Sequence, residues 1–193
     1  MSPPGAEQPV VFFATAGELE AWLDERHDEV DGIWLKLAKK GSGIESVSYL
    51  EAVESALCFG WIDGQARGLD EQHYMQRFTP RRARSKWSKR NRGKAERLIA
   101  EGRMRPAGLA EVERARADGR WDDAYDSAAT ATVPDDFRVA LDAEPEARAF
   151  FDTLSSSKRY SFLYRIADAK RPETRAKRIA EYVALLREGK TLG

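Results

Sequence analysis

Apolar residues recur at two periods along the chain, and the switches between them predict the order of elements. Thr15-Ala16-Gly17-Glu18 has capping-box spacing, in which the threonine oxygen and the glutamate carboxylate each satisfy a free backbone N–H. Leu19, Trp22 and Leu23 follow at helical spacing, to about His27. Ile33, Leu35 and Leu37 then alternate with Trp34, Lys36 and Ala38, which is strand periodicity. Lys39 to Gly43 reads as a turn. Ser48 and Glu51 form a second capping box, and the helix behind it is expected to bury Leu50, Val53, Ala56 and Leu57 before Gly60 caps it in a left-handed conformation. Trp61-Ile62-Asp63 enters a strand and Gly68-Leu69-Asp70 turns the chain. His73 to Phe78 then returns with Tyr74, Gln76 and Phe78 on one face. This order predicts a small antiparallel or mixed sheet with helices on one face.

From about Ser88 the pattern is helical. Ala95, Leu98 and Ile99 make one stripe, ended by Gly102, and Pro106 opens the next helix, with Leu109, Val112 and Ala115 before Gly119. Pro134 presets the backbone of a further helix, and Asp135 and Asp136 suit its positive end. Pro145 starts another, through Phe150, Phe151 and Leu154, interrupted at Ser155 to Ser157. Phe162, Leu163 and Ile166 lie on the next. Pro172 opens the last helix, with Ala176, Ile179, Val183 and Leu186 on its buried face. The expected fold class is α+β: a small N-terminal sheet with helices, followed by a mostly helical C-terminal part. The expected organisation is a disordered lead-in over 1–11, an α+β domain over 12–127 carrying a basic segment at 77–105, and a helical domain over 134–190. Residues 128–133 form the linker, and no internal repeat is visible.

Composition narrows the class. At 193 residues the chain can bury one sizeable core or two small ones. No apolar run approaches the roughly 18 residues that span a bilayer. Met1 to Pro9 lacks the basic and apolar regions of a secretory signal. The single cysteine, Cys58, rules out an internal disulfide. These features point to a cytoplasmic protein without a membrane span.

Charge changes the picture more. The formal net charge is zero, but residues 1–76 hold five basic and fourteen acidic side chains, whereas residues 77–105 hold twelve and two. A clustered cationic face with aromatics is how a protein holds an anion. Internal neutralisation by the acidic N-terminal part is the competing explanation.

The densest stretch is Arg77-Phe78-Thr79-Pro80-Arg81-Arg82-Ala83-Arg84-Ser85-Lys86-Trp87-Ser88-Lys89-Arg90-Asn91. Like charges at helical spacing repel, and Thr79-Pro80 and Ser85 favour a loop. Arginines with Ser, Thr and Asn donors can surround a phosphate or carboxylate, while Phe78 and Trp87 could stack a base or an aromatic ligand. Exposed ion pairs contribute only about 0–1 kcal/mol each, so stability is a weak reason to gather twelve cations. Gly60-Trp61-Ile62-Asp63-Gly64 suggests a constrained backbone or close approach by a ligand. Asp63 there is a candidate acid or base, or a partner for an arginine such as Arg77. Lys39 to Gly43 lacks the Walker and GxGxxG spacings and reads as a strand-to-helix turn. His27 and His73 have no neighbours at ligand spacing, so no metal or cofactor is expected. Cys58, at a helix C-terminus, reads as a core residue. Trp121 to Asp126 is an acidic aromatic patch that could cover the basic loop.

Four segments together resemble the YdeI/OmpD-associated family, also called bacteriocin-protection proteins. They are Tyr49 to Gly64, ending ALCFGWIDG; RFTPRRARSKWSKRN; LIAEGRMRPAGL with GRWDDAYD; and KRPETRAKRIAEYV. The resemblance runs from about Phe12 to Gly189. It implies a bacterial cytosolic protein linked to resistance against bacteriocins and cationic antimicrobial peptides, with no reaction to transfer.

The resulting expectation is a bacterial stress or antimicrobial-resistance protein without evident catalysis. It would bind an anionic ligand through Trp61, Asp63, Arg77, Thr79, Arg81, Arg82, Ser85, Lys86, Trp87, Ser88 and Asn91. The arginines and lysines supply charge, Ser85 and Asn91 orient hydrogen bonds, Trp61 and Trp87 stack or wall a pocket, and Asp63 fixes the arginines. Two alternatives remain open: a nucleic-acid-binding module, and an enzyme on a phosphorylated or carboxylated small molecule with Asp63 as acid or base. The oligomeric state is not legible.

Overall fold

The computed structural model describes residues 8–192 of the chain. Two compact units are present. One runs to Trp87 and resumes over Asn91–Ala124; the other comprises Ser88–Arg90 and the residues from Tyr125 onward.

The first unit contains β1 (Val10–Phe12), α1 (Ala16–Arg26), β2 (Ile33–Ala38), α2 (Tyr49–Cys58), β3 (Trp61–Gly68) and β4 (His73–Pro80). It also holds α4 (Pro106–Ala117) and all but the first two residues of α3 (Lys89–Ala100). The strands order as β1-β2-β4-β3. β1 runs parallel to β2, and the other neighbours are antiparallel, so the sheet is mixed.

Register carries the hydrophobic pattern into the core. Ile33 lies opposite Phe78, Leu35 opposite Gln76 and Leu37 opposite Tyr74, which puts the apolar residues of β2 and the expected face of β4 on one side. These leucines and Ile33 share a buried cluster with Leu19 and Leu23 of α1 and Val53 and Leu57 of α2. Gln76 is a buried polar residue on that face, and its Nε2 donates to the Gly64 carbonyl at 2.8 Å and the Gln65 carbonyl at 3.3 Å. A register shift between Asp63 and Ala66 releases those carbonyls from the ladder, and Gln76 satisfies them.

Local signals set the helix ends. Ser48 and Glu51 complete a capping box on α2, and Gly60 follows it with a φ of +74°. Thr15 caps α1, but Glu18 accepts from the Ala14 N–H, one residue earlier than the box spacing predicts.

Several expectations need correction. Residues 1–7 of the lead-in lie outside the described residues, whereas Val10–Phe12 forms β1. Three residues are too few to show alternation, and pairing with β2 orders them. β3, by contrast, runs as expected from its entry at Trp61 to the turn at Gly68, with β4 supplying its ladder. Leu50 and Leu109 are exposed, each lying in the first turn of its helix.

The second unit contains α5 (Asp135–Asp142), α6 (Pro145–Thr153), α7 (Ser156–Ala167) and α8 (Pro172–Arg187). Phe137, Leu141, Phe151, Phe162, Ile166 and Leu186 centre its core. Ser155 caps α7 by accepting from the Lys158 N–H, so Ser156 and Ser157 belong to the helix rather than the break. Ala176 is exposed on α8; Tyr182 takes a place on the buried face with Ile179, Val183 and Leu186. No helix among the described residues is long and apolar enough to cross a membrane.

Candidate functional site

The segment that follows β4 folds into a braced loop. The Arg81 N–H donates to the Gly60 carbonyl at 2.9 Å, continuing the sheet contact. Arg82 and Ser85 close a tight turn: the Arg82 N–H donates to Ser85 Oγ at 2.9 Å, and the Ser85 N–H returns to the Arg82 carbonyl at 2.9 Å. Arg120 Nη1 donates to the Ser85 carbonyl at 2.6 Å, and its Nε donates to Asp118. Trp87 forms the floor. It is 1% exposed, with the Arg81 guanidinium 3.6 Å above its ring and Trp121 at 4.9 Å in an edge contact. Arg116 lies 5.2 Å from the Trp121 ring, so two arginines and two tryptophans stack in succession. Arg81 itself is 5% exposed and donates to the Lys86 carbonyl at 3.2 Å.

This bracing divides the candidate residues. Arg82, Arg84 and Lys86 are exposed. The side chains of Arg82 and Arg84 have no hydrogen bond or ion pair among the described residues. Trp61, Trp87 and Phe78 are buried, which corrects their expected roles as stacking surfaces: their rings fill the core and present no open face. Trp61 Nε1 donates to the His27 carbonyl at 3.1 Å, and the ring meets Trp22 edge-on. Ser85 Oγ accepts from the Arg82 N–H and closes the turn, which leaves the hydroxyl hydrogen to donate. Thr79 is half-buried on β4 opposite Ile62, and Asn91 is buried. Ser88 belongs to the second unit, where it bridges to Tyr125.

Asp63 does not fix the arginines. Its Oδ2 accepts from the Tyr49 hydroxyl at 2.7 Å, because the register puts Asp63 on the helix-covered face opposite Phe78. Arg77 donates instead to Gln8 at 2.8 Å. Tyr49, Arg116, Arg120 and Trp121 were not among the expected site residues. The available signal for three of them was the ARADGRWDD stretch, where arginines flank a tryptophan.

The later part of the basic segment is neutralised within the first unit. Lys94 and Arg97 meet Glu54 at 2.7 and 2.6 Å, and Arg103 meets Glu20 at 2.9 Å and Glu54 at 3.7 Å. Burial pushes the Glu54 carboxyl upward, but hydrogen bonds from Lys94 and Arg97 outweigh it and hold the pKa below the ordinary glutamate value. A depressed carboxyl pKa contributes stability above the unfolded value, about 4.3, and that contribution is lost as pH falls through the folded value. Glu54→Gln is therefore expected to lower the urea midpoint at pH 7, with the difference from the parent shrinking below about pH 4. A pH-independent difference would remove the ion cluster as its cause.

Burial pushes the Cys58 thiol up to about 11, so it stays protonated at neutral pH. No group of three or more His, Cys, Asp or Glu among the described residues could hold a metal ion.

Two family models match the chain. Residues 11–111 match a domain of unknown function (DUF8412), and residues 130–189 match the family described as bacteriocin-protection, YdeI or OmpD-associated. The second match is narrower than the resemblance read from sequence: of the four segments, only KRPETRAKRIAEYV lies within it. Neither the curated proteins nor the solved structures provide a match. The chain belongs to the DUF8412 family over residues 11–111, and its C-terminal helices are similar to the bacteriocin-protection, YdeI or OmpD-associated family over residues 130–189.

Proposed function

We propose that the protein is a cytoplasmic bacterial stress or bacteriocin-resistance protein that binds an anionic partner through Arg82, Arg84 and Lys86. One observation carries this reading: two arginines stand exposed and without partners among the described residues, on a loop whose turn, floor and flanks are all pinned. A rigid loop loses little conformational entropy when it binds, and bare guanidiniums offer forked charged donors to phosphate or carboxylate oxygens. The burial of Trp61, Phe78 and Trp87 favours contact with the anionic groups alone over base stacking. A cationic loop repels cationic peptides. Protection on this reading runs through an anionic cell component and not through capture of the peptide.

The test is binding of the purified protein to short fluorescent single- and double-stranded DNA and RNA across a salt series. The parent is expected to bind at low salt and to weaken steeply as salt rises, because neutralised phosphates release counterions. An Arg82→Ala/Arg84→Ala variant is expected to lose at least about tenfold in affinity and to reduce the magnitude of the salt slope by roughly two. Binding that is equal in the variant would overturn the assignment to this loop. Absence of binding at low salt would overturn a nucleic-acid partner.

A further inference from the structure

The turn between β2 and α2 borders a cleft of about 570 Å³, a size that suits a small molecule. Lys40, Ser42, Ile44, Tyr49 and Tyr74 line it, all within the first unit. Gly41 and Gly43 have φ of +85° and +74°, whereas Ser42 between them does not have positive φ. The Ser42 N–H closes the turn on the Lys39 carbonyl at 3.1 Å, so the backbone donors the turn leaves for an anion are those of the two flanking glycines. The N–H groups of Gly41 and Gly43 make no hydrogen bond among the described residues, and a Cβ at either glycine would meet nothing within 4 Å. Ser42 Oγ accepts from the Ile44 N–H at 3.3 Å, which leaves its own hydrogen to donate.

The cleft is held from behind. Lys39 Nζ donates to the Asp70 carbonyl at 2.8 Å, and the Lys39 N–H donates to the Gln72 carbonyl at 2.7 Å. Neither the Lys40 ammonium nor the Tyr74 hydroxyl has a partner among the described residues. Burial raises the Tyr74 hydroxyl above its ordinary value, so it is a neutral donor. The apolar wall comes from Ile44, Val47 and the ring of Tyr74.

From this geometry we infer that the cleft binds a small phosphomonoester, its phosphate on the Gly41–Gly43 turn beside Lys40 and its apolar body against Tyr74. Two backbone donors, a serine hydroxyl and an ammonium would saturate the roughly four lone-pair sites of a carboxylate, whereas the three terminal oxygens and higher negative charge of a phosphate accept all four with capacity to spare. The site does not involve Arg82 or Arg84, so the two proposals stand or fall separately.

The test is a titration of the full-length ¹⁵N-labelled protein with phenyl phosphate, followed by amide NMR, beside benzoate and inorganic phosphate. Phenyl phosphate is expected to give saturable shifts at Gly41, Ser42 and Gly43, with weaker binding of inorganic phosphate, which lacks the ring, and of benzoate. Lys40→Ala is expected to weaken phenyl phosphate by at least about tenfold, a change of 1.4 kcal/mol. Arg82→Ala/Arg84→Ala should leave the shifts at Gly41, Ser42 and Gly43 and their saturation unchanged. The proposal is overturned by shifts that never saturate, by equal binding to Lys40→Ala, by loss of the shifts in the arginine variant, or by benzoate binding as tightly as phenyl phosphate.

Discussion

Trp87→Ala is expected to lower the stability of the first unit by about 3–5 kcal/mol, the range for truncating a buried tryptophan. Trp87 is the floor on which Arg81 and Trp121 both rest. Alanine leaves a cavity between them that the pinned turn of Arg82 and Ser85 cannot collapse to fill. It also leaves the Arg81 guanidinium, 5% exposed, without the aromatic face it stacks on. Urea unfolding followed by circular dichroism reads the loss. Trp87→Phe keeps a ring in the stack and should lose less. If both variants lose under about 1 kcal/mol, the stack does not hold the loop. Under conditions where Trp87→Ala stays folded, nucleic-acid binding should also weaken, because Arg82 and Arg84 no longer project from a fixed turn.

Gly108→Ala is the second large effect. Gly108 lies in the first turn of α4, and a Cβ there would stand 2.3 Å from the Cys58 carbonyl oxygen and 2.8 Å from that of Leu57. Those atoms are backbone at the end of α2, so no rotamer change relieves the overlap. The contact is reciprocal, since a Cβ at Gly60 would meet the Ala107 carbonyl at 3.0 Å. The helices must move apart, which separates Val112 and Ala115 from their core, and a loss of about 3 kcal/mol or more is expected. Gly93→Ala provides the control. It lies within α3 with nothing within 4 Å of the added Cβ, and should stabilise by about 0.5–1 kcal/mol. Thermal unfolding of both variants checks the pair, and a Gly108→Ala midpoint near the parent's would refute the close approach.

Much of the fold was legible because short-range signals encode it. Ser48 and Glu51 began α2 and Gly60 ended it, and period-two alternation marked β2, since each depends on residues a few positions apart. β1 was not legible, because three residues carry no period and their order comes from pairing with Trp34, Leu35 and Lys36. The candidate site was legible as charge but not as geometry. Nothing near Trp87 in the chain marks it as floor rather than stacking surface; its burial depends on Trp121, from a later helix end. Asp63 looked like an arginine's partner by proximity in sequence, yet the strand register delivers it to Tyr49, fourteen residues earlier.

What the chain alone determined is therefore the list of elements and the location of the cations, because periodicity, caps and charge are local properties. Which cations are free was decided only by tertiary structure. Glu54 and Lys94 are forty residues apart, and packing alone brings them together to neutralise one end of the basic segment. The same packing leaves Arg82 and Arg84 on a pinned turn without an ion pair among the described residues. Electrostatic pairing acts through space over a few ångströms, so a sequence that shows twelve cations cannot show which of them still lack a partner.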